Sequence, residues 1–417
     1  MTTVQAPRRV PAGPGQPPGG RGGLAVPRRA GFWLMALVLT LTMLGTTLPT
    51  PLYDIYQSRW HFSAAMVTVT YAAYAAAVIA TLLLAGRSSD QAGRRPVLAA
   101  ALAASAVSTI VFIVAPDVGV LIAARIVSGL SAGLVTGTAT AALTKLAPAA
   151  SRRRASLVAT AANMGGLGLG PLVAGLFAQY APHPTTLVFE IYLAVLAVAA
   201  LMVAVVPETV RDRTRPALRF AGLGIPERGR GEFIAAGVAG FATFALLGLF
   251  SSLVPGLLAG GLHQHSHAVQ GGVVFLLLAV GTITQVALSR FSSRRVVLAG
   301  LALFLAALGL IVAALASSGM PLFLTGTVAG GVACGAIFLG SLATANRLAP
   351  ADRRGQVVSA FFVAAYVGLI VPVVGVGILS EFTGTFTAVL TFSILLAVLC
   401  LFSISRFARV TQVRGSR

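Results

Sequence analysis

The stretch Gly86–Leu98, GRSSDQAGRRPVL, sets one acid, three arginines, two glycines and a proline between long runs of alanine, leucine and valine. Working outward from this knot, the apolar run on either side is long enough to matter. A helix crossing the ~30 Å hydrocarbon core of a bilayer needs roughly 20 apolar residues. Runs of that length fall near 31–53, 64–86, 96–115, 118–144, 153–179 and 185–206. After a polar stretch they resume near 232–258, 268–289, 296–316, 320–345, 354–379 and 383–405. The chain is 57% hydrophobic and 10% charged, with a mean hydropathy of +0.91. Soluble domains are about a quarter charged, so a soluble fold is excluded. Inside lipid every backbone polar group needs an internal partner, so the twelve spans are expected to be helical.

Net charge is +20, which in a soluble protein would point to nucleic acid. Its distribution points to topology instead. With a cytoplasmic N-terminus, 28 of the 30 Lys and Arg fall in cytoplasmic tails and loops, Arg59 falls outside, and Arg125 lies within helix 4. Cytoplasmic loops of membrane proteins are enriched in these residues. The expectation is therefore a multi-pass plasma-membrane protein with both termini cytoplasmic and no nucleic-acid partner. Residues 1–30 are rich in Pro, Gly and Arg, the composition of a disordered tail. The first apolar run is too long for a signal-peptide core and is read as a retained helix. Cys334 and Cys400 both fall within spans, so neither a disulfide framework nor a metal cluster is implied. One Lys against 29 Arg, with abundant Ala and Gly, hints at a GC-rich bacterial genome.

The chain repeats itself at about 200 residues. KLAPAASRRRASLVA from Lys145 pairs with RLAPADRRGQVVSA from Arg347, and RRPVLAA from Arg94 pairs with RRVVLAG from Arg294. Gly129 and Gly133 recur as Gly331 and Gly335. The expected fold is an all-α membrane protein of two pseudo-symmetric six-helix bundles, 31–206 and 232–405. A cytoplasmic loop at 207–231 joins them, and a C-terminal tail occupies 406–417. Parallel repeats of this kind are a transporter plan, with the substrate site at mid-membrane between the halves.

The knot sits in the loop between helices 2 and 3. It resembles the loop signature of the major facilitator superfamily, G-x-x-x-D-x-x-G-R-R, with Gly86, Asp90, Gly93, Arg94 and Arg95 in register. The glycines permit a tight turn, and an acid is favoured at a helix N-terminus. The resemblance implies that Asp90 holds the start of helix 11, near Arg353, and so closes the cytoplasmic face. The equivalent in the second half, SRFSSRRVVLAG, keeps the arginines but lacks the acid. The superfamily's twelve-helix drug:proton antiporter branch is the nearest resemblance, and it spans about 31–405.

Arg125 precedes Gly129 and Gly133 in helix 4 and resembles the motif R-x-x-x-G, whose arginine is associated with proton coupling. A guanidinium inside a membrane normally faces a cavity or a partner; the alternative is an arginine snorkelling to the outer interface. In helix 5, Gly166, Gly170, Pro171 and Gly175 resemble a G-x-x-x-G-P motif frequent in the exporters of the superfamily. Ordinary glycine-mediated helix packing is the competing reading. Of ten acids, Asp54 and Glu190 are the ones placed to titrate along a pathway, or else they are wet interfacial residues. His263, His265 and His267 in HQHSH lack a fourth ligand nearby and read as solvated polar residues.

No G-x-x-x-x-G-K-[ST] loop is present, and no nucleophile–base pair stands out, so neither an ATP-driven pump nor an enzyme is expected. No cofactor or bound metal is expected either. Tyr71, Tyr74, Asn163, Gln285 and Tyr366 are the candidate cavity residues, on largely apolar walls that suit amphipathic solutes. The expected function is proton-coupled efflux of small amphipathic or hydrophobic compounds by alternating access, with protons and a small molecule as partners and the protein acting as a monomer. An uptake permease on the same fold is the first alternative; a non-transporting polytopic membrane sensor or enzyme is the second.

Overall fold

The structure is a computed structural model describing residues 26–85, 88–148, 151–210, 222–291, 293–350 and 352–415. Gly86 of the knot, residues 1–25 of the proline-rich tail and residues 211–221 of the expected loop lie outside these. Among the described residues, twelve helices are long and apolar enough to cross a membrane. They are α1 Arg28–Trp60, α2 Ala64–Ala85, α3 Arg94–Val114, α4 Val118–Leu146, α5 Arg154–Tyr180 and α6 Pro184–Val205. The second set is α7 Arg230–Ser252, α8 His267–Leu288, α9 Ser293–Ser317, α10 Met320–Leu348, α11 Arg354–Thr383 and α12 Thr385–Ala408. Beyond Ala408 the helical backbone of α12 continues to Gly415, through most of the expected tail. The start of α1 and the end of α12 share one face, the tail face; the opposite side is the far face.

Each set of six packs as a bundle, and the two bundles follow one plan. In the first, α1 packs on α5 and α2 on α4; in the second, α7 packs on α11 and α8 on α10. The glycine pairs explain part of this. A Cβ on Gly129 would stand 2.3 Å from the Tyr74 carbonyl of α2, and one on Gly335 would stand 2.4 Å from the Gly281 carbonyl of α8. Small residues let backbones approach this closely, which is what holds membrane helices together where no hydrophobic drive exists.

The repeat reaches into the irregular parts too. α1 is interrupted by a 3-10 turn at Thr50–Leu52, which Pro49 precedes and which contains Pro51, and resumes as Tyr53–Trp60. In the second bundle α7 stops at Ser252, and a short helix with Pro255, Val254–Gly261, follows at the same place. Prolines supply no backbone donor, so both chains change direction there. Pro171 lies inside α5 and Pro372 inside α11. The carbonyl that Pro171 leaves without a donor, that of Leu167, accepts instead from the Thr47 hydroxyl of α1 at 2.8 Å.

Candidate functional site: a central cavity closed on one face

The bundles meet along α5 with α8 and α2 with α11. On the far side the approach is backbone to backbone. A Cβ on Gly271 of α8 would lie 2.1 Å from the Pro171 carbonyl, and one on Gly175 would lie 2.5 Å from the His267 carbonyl. Gly377 of α11 stands equally close to the Thr68 side chain of α2. Side chains seal the rim. Gln179 Oε1 accepts from the His267 amide at 3.0 Å, and Glu381 Oε1 at the end of α11 accepts from the Ala65 amide at 3.2 Å. Glu381 thus caps the N-terminus of α2 from the other bundle, satisfying one orphan donor of that helix.

A cavity of about 310 Å³ lies between the bundles. Its lining reaches Ser156, Asn346 and Val358, within two turns of the tail-face ends of α5, α10 and α11. The protein is therefore captured closed on the far face, with its cavity directed to the tail face. Tyr71, Tyr74, Asn163 and Tyr366, singled out from the sequence, all line this cavity. Gln285 is not among them; it is buried in an adjoining crevice of about 20 Å³ with Cys334 and Gly335, which shares Phe244, Leu247 and Phe338 with the cavity. Sequence reasoning passed over Phe244, Phe338 and Phe362, which complete an aromatic wall. Phe244 stands edge-on to Tyr366, with ring centroids 5.2 Å apart at 72°. Among the described residues, none of those lining the cavity carries a charge. The polar lining is hydroxyl and amide, as in Asn163, whose Nδ2 donates to Thr136 Oγ1 at 3.3 Å.

Arg125 is 1% exposed and stands behind this wall, with no access to the outer interface. Its guanidinium carbon lies 4.4 Å from the Tyr74 ring centroid and 5.3 Å from that of Tyr71. Nη1 donates to the Thr46 carbonyl, where α1 ends its first segment. Nε and Nη2 meet no acceptor in good hydrogen-bond geometry, although the buried hydroxyl of Tyr53 stands beside the guanidinium. Gly129, one turn on, explains the placement: by bringing α4 against the Tyr74 backbone it seats Arg125 on the two rings. Cation–π contact offsets part of the cost of burying the charge.

The other two candidates for proton coupling are apart from Arg125 and from each other. Asp54 lies at the far face in the Tyr53–Trp60 segment, where it lines two surface clefts outside the seal, one with Ser252 and Gly256, the other with His265, His267 and Gln270. His267 Nδ1 is 3.1 Å from Gln270 Oε1, so one of the three histidines has a partner while His263 and His265 are exposed. Glu190 is exposed on the outer surface of α6. Within the helix-5 motif, Gly166 and Gly170 face α1, with the Thr40 and Leu44 carbonyls 2.4 Å from where a Cβ would be, whereas Gly175 faces α8 of the other bundle.

The knot is tied within its own bundle. Ser88–Ala92 forms one helical turn, Gly93 takes φ +101°, and α3 starts at Arg94. That backbone angle disfavours any side chain, which is why glycine stands there. The Arg94 and Arg95 amides each donate to the Glu208 carboxylate at 3.1 Å. Glu208, just past α6, therefore caps α3, an acid at the positive end of a helix. Burial alone would raise the Glu208 pKa; the amides of Arg94, Arg95, Val210 and Thr209 outweigh it and hold the carboxyl below the usual range. Arg94 also donates to Thr209 at 2.6 Å and lies 3.4 Å from Asp90. The Asp90 side chain is 69% exposed, and its ion pair is with Arg94; the hydrogen bond expected at the start of α11 is not formed in this conformation. Across the tail face, Arg347 of α10 pairs with Glu232 of α7.

The sequence profile of the Major Facilitator Superfamily matches residues 35–292, and the chain belongs to that superfamily. Among solved structures it is similar to a bacterial homologue of the human lysosomal transporter Spinster in an inward-facing, unoccupied conformation. The TM-score there is 0.71 at 14% identity over 94% of this chain and 98% of that one. The occupied form of the same homologue gives 0.69 at 15% identity over 93% and 98%. The human organic anion transporter MFSD10 (TETRAN) gives 0.66 at 18% identity over 91% and 100%. At such identities the likeness is one of fold. A search of curated protein sequences yields no match.

Proposed function

We propose that the protein is a secondary transporter exporting small amphipathic or hydrophobic compounds in exchange for protons, with its tail face cytoplasmic. The observation that carries this reading is the uncharged, aromatic-walled cavity between two bundles that are sealed on one face and parted on the other. Alternation then requires the bundles to exchange the far-face contacts for contacts at the tail face. Asp90, exposed beside the knot, is free to reach the N-terminus of α11 once that face closes. Tail-face orientation follows from the Lys and Arg bias. The direction of transport rests on the α5 motif, whose Pro171 and Gly175 form the far-face crossing. A protein of the same fold, MFSD10, is described as an organic anion transporter, so substrates of either charge belong in the test.

Export of paired anionic and cationic lipophilic dyes from energised cells is the direct assay, comparing wild type with Arg125→Ala and Asp90→Asn. Protonophore-sensitive export that both variants lose, while still reaching the membrane, is the expected result. Dye levels indifferent to the protein and to the protonophore would sink the proposal, and gradient-driven accumulation would favour uptake.

A further inference from the structure

We infer that the cavity selects anionic amphipaths and that Arg125 determines this preference. The inference deepens the reading above, since it takes the central cavity to be the substrate site. Three observations lead to it. First, among the described residues no acidic side chain lines the cavity, so a bound cation would meet no counter-charge there. Second, Arg125 is a buried charge in mid-membrane pressed on Tyr71 and Tyr74, both of which line the cavity. Third, that charge is uncompensated: among the described residues no carboxylate pairs with it, and two of its nitrogens lack acceptors.

A buried salt bridge would cancel most of the field of a guanidinium beyond a few ångströms. Arg125 is instead held by a neutral carbonyl and two ring faces, which leave its full charge projecting through the wall. One ring thickness separates it from the cavity, so an anionic headgroup against Tyr71 or Tyr74 would lie roughly 8 Å from the guanidinium. At an effective permittivity of ~20 a unit charge at that range changes affinity by about thirtyfold, favouring an anion and opposing a cation. The neutral carboxamide of Asn163 and the Tyr and Thr hydroxyls can donate to an anion without adding a charge of their own. The aromatic wall formed by Phe244, Phe338 and Tyr366 suits the apolar body of the same molecule.

Tetraphenylborate and tetraphenylphosphonium share a shape and differ in the sign of their charge, which makes them the probes. Their binding to the purified full-length chain in a neutral detergent is measured calorimetrically, with empty micelles subtracted. Wild type is expected to bind the borate at least tenfold more tightly than the phosphonium. Arg125→Gln should lower borate affinity about thirtyfold and raise phosphonium affinity, whereas Arg125→Lys, which keeps the charge without the planar fork, should retain the wild-type order. Equal binding, tighter phosphonium binding or no binding of either ion by wild type overturns the inference, whatever the variants do. An unchanged order in folded Arg125→Gln overturns the role of Arg125. The measurement needs no proton gradient, so a failure of coupled export would leave it standing, and a phosphonium preference would leave export standing.

Discussion

Replacing Gly271 with alanine should turn the resting protein over. The new Cβ would stand 2.1 Å from the Pro171 carbonyl oxygen and 2.9 Å from its carbon, where ordinary contact begins near 3.4 Å. The obstruction is backbone on a helix of the other bundle, so no rotamer change can relieve it. α8 must draw back from α5 by about 1.3 Å, a displacement that forfeits much of the attraction along the crossing. Overpacking of this kind costs about 1–3 kcal/mol. Because the cost falls only on the far-face-closed form, that form should lose about 5- to 150-fold in relative population. Single-cysteine reporters read this directly, in a background with Cys334 and Cys400 changed to alanine. Thr68→Cys lies fully buried under Gly377 on the far face, and Asn346→Cys lines the cavity toward the tail face. In Gly271→Ala, maleimide labelling of position 68 should rise and that of position 346 should fall. At the neighbouring Gly272 a Cβ would meet nothing within 4 Å, so Gly272→Ala should leave both rates unchanged. Wild-type labelling in a normally inserted Gly271→Ala protein would refute the view that this crossing holds the far face shut.

Thr47→Val keeps the shape of the side chain but leaves the Leu167 carbonyl without a donor; an unsatisfied buried acceptor costs about 1–3 kcal/mol, visible as a lower thermal unfolding midpoint. Glu208→Gln removes the charged cap of α3 and should cost about 1 kcal/mol of stability at neutral pH, moderated by solvent around the carboxylate. The Glu208 pKa is depressed in the folded protein, so its contribution is fully present above the unfolded carboxyl value of about 4.3 and lost as pH falls through the lower folded value. Wild type should therefore shed this part of its stability on acidification below about pH 4, and Glu208→Gln should not; a parallel decline in both would discount the cap. Asp90→Asn should leave the unfolding free energy within about 0.5 kcal/mol of wild type, because its carboxylate is exposed and, among the described residues, ion-paired with a neighbour on its own bundle. The same change should raise labelling at Asn346→Cys by weakening the opposite, tail-face-closed form.

Twelve spans were legible because hydropathy integrates over twenty residues, and the knot was legible because charge is rare in this chain. The glycine pairs were legible through their recurrence. What escaped depends on helix rotation and on distant meetings. Glu190 and Gln285 sit on good spans, yet one turns outward and the other into a side crevice, since a helix pattern that is apolar all round does not fix its azimuth. Phe244, Phe338 and Phe362 carry no polar mark to separate them from phenylalanines that face lipid. Glu208 is one acid in a basic connector, and only folding brings it to the amides of Arg94 and Arg95. The meeting of Asp54 with His267 joins residues more than two hundred positions apart, and no local pattern announces it. The broken ends of α1 and α7 were half legible: the prolines were plain, but the short helices after them were not expected.

The two seams on the far face differ in what the surrounding medium can do to them. Between α5 and α8 the seam is mainly glycine against backbone, closed at its rim by the uncharged Gln179 amide on the His267 N–H. Between α2 and α11 it includes the Glu381 carboxylate set on the Ala65 amide in the open. A contact of that sort weakens as ionic strength rises, over a Debye length of about 10 Å at 0.1 M salt. Salt in the aqueous phase bathing that face thus acts chiefly on the seam that carries the carboxylate. The bundles would then part first along α2 and α11, with α5 and α8 serving as the axle.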